Sequence, residues 1–234
     1  MKNILFISAC FLNISLCAQK TVDVSSGYQS ALSPSFFNVV GGEPFVSTKF
    51  TKLVDGTPYF RDEWMKGTVL FDQHSQYGGV YLKLDLYNNA VHYLDAKNNE
   101  MIASSKIQKV LLFDSTTQEL FSFINGEYIQ ASGGVTGWYQ ILAEGNTSLF
   151  KHIDKKLRED RPYGSATVEQ SIFSSNHYYV LNKGVFKEVK KFKGLPDFFQ
   201  EKKDLITTFI KNKNLSGKTD ADFVSVINYV NGLN

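Results

Sequence analysis

The chain of 234 residues sets 25 Lys and Arg against 23 Asp and Glu, a formal net charge of +2. So even a balance excludes a general electrostatic pull toward nucleic acid. Past the first eighteen residues, no stretch approaches the roughly 20 apolar residues that a membrane-spanning helix needs. With 43% hydrophobic and 14% aromatic residues, the chain can bury a sizeable core as one large domain, with or without a small appendage.

Residues 1–18 carry Lys2, an apolar run over 4–16 and small residues before Gln19. That is the pattern of a secretory signal peptide, with cleavage expected after Ala18. A lipid anchor on Cys17 is the rival reading, disfavoured by the bulk of Leu16 before it. Cys10 and Cys17 both lie in the leader, so the mature chain has no thiol for a disulfide or a covalent intermediate.

Residues 19–42 are polar and Ser-rich apart from Phe36, Phe37, Val39 and Val40, and read as a flexible N-terminal arm. Residues 43–194 read as an antiparallel β domain. Edge strands are expected over 45–53 and just past Gly56, and a further strand over 67–71. Val80, Leu82, Leu84 and Leu86 alternate with Tyr81, Lys83, Asp85 and Tyr87, the period of a half-buried strand, and Asn88-Asn89 predicts a two-residue turn. Further strands are expected over 101–103, 107–113 and 119–124, with another tight turn at Asn125-Gly126.

Residues 137–154 pair two strands about Gly145-Asn146. With that loop, Leu142 faces Leu149 and Trp138 faces Ile153 on one side, and Ile141 faces Phe150 and Tyr139 faces His152 on the other. A pair apolar on both faces requires cover on both, so this hairpin is expected to be central. Strands over 166–173, 177–181 and 185–189 complete the set.

Residues 195–234 change period. Leu205, Ile206, Phe209 and Ile210 share one helical face, as do Phe223, Val226, Ile227 and Val230. Helices over 197–212 and 220–231 are expected, the second opened by Thr219 and Asp222 in a capping-box spacing. The fold class is therefore mainly β (α+β), an open, barrel-like antiparallel meander on which a C-terminal helical hairpin packs. Ten Lys and four acids in 183–218 make the tail locally basic, which reads as a solvated face.

The chemistry-bearing patterns are sparse. There is no Gly-x-Ser-x-Gly elbow, no His-Glu-x-x-His and no phosphate-cradling glycine loop. His74, His92, His152 and His177 stand singly, and each reads as a strand histidine. The acidic runs at 95–100 and 220–222 lack the spacing of a calcium loop. Asp62-Glu63 and Glu159-Asp160 are adjacent, so in a strand each pair points to opposite faces. No catalytic residue, metal ligand or cofactor is assigned. Trp138, Tyr139, Tyr178 and Tyr179 are the candidate ligand-binding residues, because bunched aromatics on a curved sheet can line a pocket, although the same rings also build sheet cores.

The stretches GWYQILAEGNTSLFKHIDKKL, YGSATVEQSIF and KKDLITTFIKNKNLSGKTDADFVSVINYVNG resemble uncharacterised secreted proteins of Bacteroidota. The resemblance spans residues 64–234, and the Leu-Cys-Ala-Gln leader ending is similar to exports of that group. It implies export to the periplasm or cell surface and a β domain with a helical tail, and it brings no active-site residues. Asp114-Ser115-Thr116 is similar to the short O-glycosylation signal of those bacteria. The expected function is that of a non-enzymatic interaction or ligand-binding module, whose partner is another envelope protein or a small apolar ligand. The alternative is a small secreted hydrolase with dispersed catalytic residues.

Overall fold

The computed structural model describes residues 29–30, 34–46, 51–71, 75–131 and 135–233. The expectations for the leader, Cys10, Cys17, Gln19 and His74 fall outside them. The strands are β1 (Gln29–Ser30), β2 (Glu43–Pro44), β3 (Thr51–Asp55), β4 (Met65–Leu70), β5 (Gln76–Asp85), β6 (Ala90–Leu94) and β7 (Glu100–Ile102). They continue with β8 (Lys109–Asp114), β9 (Glu119–Asn125), β10 (Trp138–Ala143), β11 (Thr147–Asp160), β12 (Val168–Asn182) and β13 (Val185–Glu188). The helices are α1 (Pro34–Val40), α2 (Lys203–Asn212) and α3 (Asp220–Gly232).

One mainly β sheet holds all thirteen strands, its main path running β13-β12-β11-β10-β9-β8-β4-β5-β6-β7-β2. Neighbours along that path are antiparallel, but β1 joins β5 and β3 joins β12 in parallel. The sheet is therefore mixed rather than purely antiparallel. Long strands leave part of an edge free beyond their hairpin partner, and these short segments dock there, far along the chain from the strands that receive them. The sheet curls until Trp138 Nε1 donates to the Asn89 carbonyl at 3.3 Å, yet among the described residues no ladder closes it. Among the described residues no helix is long and apolar enough to cross a membrane.

The alternation in β5 behaves as its period dictates: Val80, Leu82 and Leu84 are buried and Tyr81 faces out. Gly79, at φ +77°, is skipped between the pairs Gly67↔Val80 and Thr68↔Gly78. It supplies the left-handed residue of a bulge that bends β5 around the core. The turn after β5 has four residues instead of the two expected, because Asp85 pairs with Ala90. The Asp85 carboxylate accepts the amides of Tyr87 (2.9 Å) and Asn88 (2.8 Å), an Asx arrangement that stabilises the wider loop. At Asn125-Gly126 the chain makes a 3₁₀ turn over Gly126–Tyr128, with the Asn125 side chain capping the Glu127 amide at 3.1 Å. No tight hairpin forms there, since β10 does not begin until Trp138.

Two strands expected over 166–173 and 177–181 are a single one. Ser174, Ser175 and Asn176 read as a break, but β12 pairs with β11 in one unbroken ladder from Asp160↔Glu169 to Thr147↔Asn182, and that pairing overrides weak local propensity. In the central hairpin Tyr139 faces His152 and Ile141 faces Phe150, as expected, while a bulge shifts Leu149 from Leu142 to Ala143.

That hairpin touches three apolar clusters. Trp138 and Ile153 join the main core of β4–β6, β8 and β9 with Phe36 and Val40 of α1. The apolar end of the arm is thus held in the core, not loose. Leu149, Leu142 and Ala143 meet the tail, including Leu195, Ile206, Phe223, Ile227 and Val230. Tyr139, Phe150 and Ile141 pack on the opposite face with Ile124, Ile129 and Phe186.

The segment before α2 forms 3₁₀ turns over Phe192–Phe198, with Pro196 inside, and over Gln200–Lys202, and α2 starts six residues later than its pattern suggests. Ile206 is its fully buried residue, whereas Leu205 is 53% exposed. Thr219 caps α3 by accepting the Asp222 amide at 3.3 Å.

Candidate binding cleft

The four aromatics singled out from the sequence are packing residues spread over three clusters. Trp138 is buried in the main core. Tyr139 lies against Tyr179 and Phe186 at ring distances of 5.4 and 5.5 Å, and burial, with Tyr179 beside it, pushes its hydroxyl up to about 12. Tyr179 stacks on Phe186 at 5.0 Å. On the other face Tyr178 stacks on Phe223 at 3.8 Å and donates its hydroxyl to Asp220 at 2.6 Å. Each ring packs against other residues of the chain, and Tyr178 also lines a second open cleft beside His177, Glu188 and Phe192.

The histidines also have local partners. His92 is 1% exposed, with Nδ1 at 2.7 Å from Glu100 and Nε2 at 3.7 Å from Asp85. Phe45 and Tyr59 cover the ring at 5.2 and 5.4 Å. Burial and the neighbouring Glu100 and Asp85 carboxylates raise the Tyr59 hydroxyl far above its usual range. The two carboxylates lie at opposite nitrogens, so they fix the ring and do not converge on one ion. His152 Nδ1 meets the Trp138 carbonyl at 3.0 Å, and His177 lies between Ser175 and Glu188 at 3.2 and 3.0 Å. Among the described residues no group of three His, Cys, Asp or Glu could hold a metal ion.

A different group of rings forms an open cleft of about 480 Å³ on the outer face of the sheet. Its walls are Glu63, Trp64, Met65, Lys66, Tyr81, Phe113, Asp114, Ser115 and Thr116. The register explains the grouping. Lys66 of β4 is directly opposite Tyr81 of β5 and Phe113 of β8, so the three side chains form one row across three strands. Tyr81 and Phe113 are 44% and 37% exposed, and Leu120, opposite Phe113 on β9, is 58% exposed. Trp64 sits beside this row under the Lys83 ammonium, which is 5.1 Å from its ring centroid and pairs with Asp62 at 3.0 Å.

The polar wall is rigid. Asp114 is buried at the end of β8, and its carboxylate accepts the Thr116 and Thr117 amides at 2.7 and 3.2 Å and the Thr117 hydroxyl at 2.9 Å. Arg61 donates to it as well, and lies over the Phe121 ring at 4.7 Å. The Thr117 hydroxyl, the two amides and Arg61 hold the carboxyl well below its ordinary 3.8, at about 2. The turn from Ser115 to Gln118 is thereby fixed, and the Ser115 and Thr116 side chains stand exposed at the cleft.

Such an arrangement can hold a molecule with apolar flat faces and polar edges: rings for the faces, hydroxyls and an ammonium for the edges. Sequence reasoning misses it because Tyr81 and Phe113 occupy the solvent phase of their strands and lie 32 positions apart in the chain. The one available signal is the aromatic residue at the polar phase of an alternating strand. No family model matches the chain, and no curated protein or solved structure matches it at significance.

Proposed function

We propose that this chain is an exported, non-enzymatic ligand-binding module of the cell envelope, working through the outer-face cleft at Trp64, Tyr81 and Phe113. The observation that carries the reading is the row Tyr81–Lys66–Phe113, two exposed rings and a cation fixed by strand register beside a hydrogen-bonded turn. Large rings held in solvent by a rigid frame reduce the ordering entropy that binding costs. Export to the periplasm or the cell surface is supported by the leader pattern and by the resemblance to secreted proteins of Bacteroidota.

The hydrolase reading would draw on Asp85, His92 and Glu100. It is disfavoured because Phe45 and Tyr59 cover the His92 ring, so a substrate reaches it only after that cover opens.

The test is a thermal-shift panel of small apolar ligands, saccharides and peptides on the mature chain, its Tyr81→Ala and Phe113→Ala variants, and a Tyr178→Ala control. A ligand should raise the melting temperature of the parent and the control, and leave both cleft variants unmoved. Binding that survives both cleft substitutions would refute the proposal, as would catalytic turnover lost on replacing His92.

A further inference from the structure

The make-up of the aromatic row narrows the class of ligand it suits, an assignment that rests on the cleft being the binding site. Tyr81 and Phe113 lie two strands apart, which places their backbones about 10 Å from each other, close to the length of two pyranose units. An aromatic face carries the negative part of the ring quadrupole. It attracts the polarised axial C–H bonds of a sugar, and such contact needs a flat exposed ring rather than a closed pocket. An open cleft flanked by half-exposed rings suits a chain passing across it.

Charge then narrows the class. Next to the cleft, Arg61 is engaged by Asp114 and Lys83 pairs with Asp62 at 3.0 Å. Lys66 lies between the two rings, and no acidic side chain among the described residues pairs with it. Glu63 at the rim is drawn to Arg61 at 3.4 Å. The uncommitted ammonium therefore sits at the centre of the stacking row, where a carboxylate on the sugar ring would meet it. The Ser115 and Thr116 hydroxyls are exposed beside it to serve the sugar hydroxyls.

We infer that the cleft binds an acidic saccharide, a uronate-containing glycan whose ring faces stack on Tyr81 and Phe113 while a carboxylate pairs with Lys66.

The experiment is titration calorimetry of the full mature chain with trimers of galacturonate, mannuronate and glucuronate, each beside the neutral hexose trimer of the same linkage. At least one acidic trimer should bind ten-fold or more tightly than its neutral counterpart, and the margin should shrink with added salt. Tyr81→Ala and Phe113→Ala should abolish binding while the folded circular dichroism spectrum is retained, because both rings are only partly buried. Lys66→Gln should erase the acidic preference and keep the residual neutral affinity, and Lys66→Arg should restore the preference. Equal affinity for acidic and neutral trimers, or no binding of any acidic trimer, overturns the inference. If an apolar or peptide ligand binds instead and is lost in Tyr81→Ala, the saccharide assignment fails while the cleft remains the binding site. If no ligand of any class depends on Tyr81 or Phe113, both fail together.

Discussion

Asn231, in the last turn of α3, links the tail to the central hairpin through the backbone of one residue. Its side chain accepts the Thr147 amide and donates to the Thr147 carbonyl, both at 2.9 Å. Thr147 is 1% exposed, so removing the partner leaves a buried donor and acceptor unpaired, and Asn231→Ala should cost about 2–4 kcal/mol. Next to this contact, a Cβ added at Gly145 would lie 2.5 Å from Asn231 Nδ2 and 2.9 Å from its Cγ. Gly145 does not occupy the left-handed region, so Gly145→Ala is opposed by that side chain alone, at about 2 kcal/mol of overpacking. In the Asn231→Ala background the obstruction is gone and Gly145→Ala should cost close to nothing. Urea denaturation of the parent, both single variants and the double variant, followed by tryptophan fluorescence, closes the cycle. The expected coupling is about 2 kcal/mol, against the ~0.5 kcal/mol within which independent sites add. Additive costs would refute the linkage and show that the loop and α3 do not depend on each other.

Ile227→Ala should cost about 3 kcal/mol, because Ile227 is fully buried in the tail cluster. The thermal midpoint should fall by roughly 6–12 °C. Phe209→Ala should cost clearly less, since the ring is only partly buried and stacks on Tyr229 at 4.1 Å; equal losses in calorimetry would contradict this packing. The Asp114 carboxyl, held at about 2 against an ordinary 3.8, contributes stability that is complete above about pH 4 and is lost as pH falls toward 2. Thr117→Val should move its midpoint up toward 3.8 in a carboxyl-carbon NMR titration, and an unmoved midpoint would sink the assignment. Tyr139, raised to about 12 by burial and by Tyr179, stays neutral after an unfolded tyrosine has ionised at about 10. Its contribution is therefore present below pH 10 and lost as pH rises to 12, and Phe186→Ala should lower its ionisation midpoint read at 295 nm.

Elements governed by periodicity were legible in the sequence. The alternation of Val80, Leu82, Leu84 and Leu86 dictates which face of β5 is buried, and the two apolar faces of residues 138–153 require a covered, central hairpin. What local pattern does not encode is pairing gained from far away. Ser174, Ser175 and Asn176 carry low strand propensity, but Lys155, Asp154 and Ile153 across the ladder hold them extended. Likewise β1 and β3 are short and have little pattern of their own, and each becomes a strand because β5 and β12 leave edge backbone free to receive it.

The cleft was illegible for a related reason. Bunching along the chain places neighbours on opposite faces of a strand, as Tyr178 and Tyr179 show by joining separate clusters. Adjacency in sequence thus disperses aromatic rings in a sheet. Register gathers them: Tyr81, Lys66 and Phe113 come together only because β4 lies between β5 and β8, an order that a simple meander of successive hairpins does not give. In a meander β8 would neighbour β7, Lys66 would keep Tyr81 but lose Phe113, and the two rings would be three strands apart instead of two. The insertion of β4 between β5 and β8 is therefore the structural fact that produces the row of two rings about Lys66.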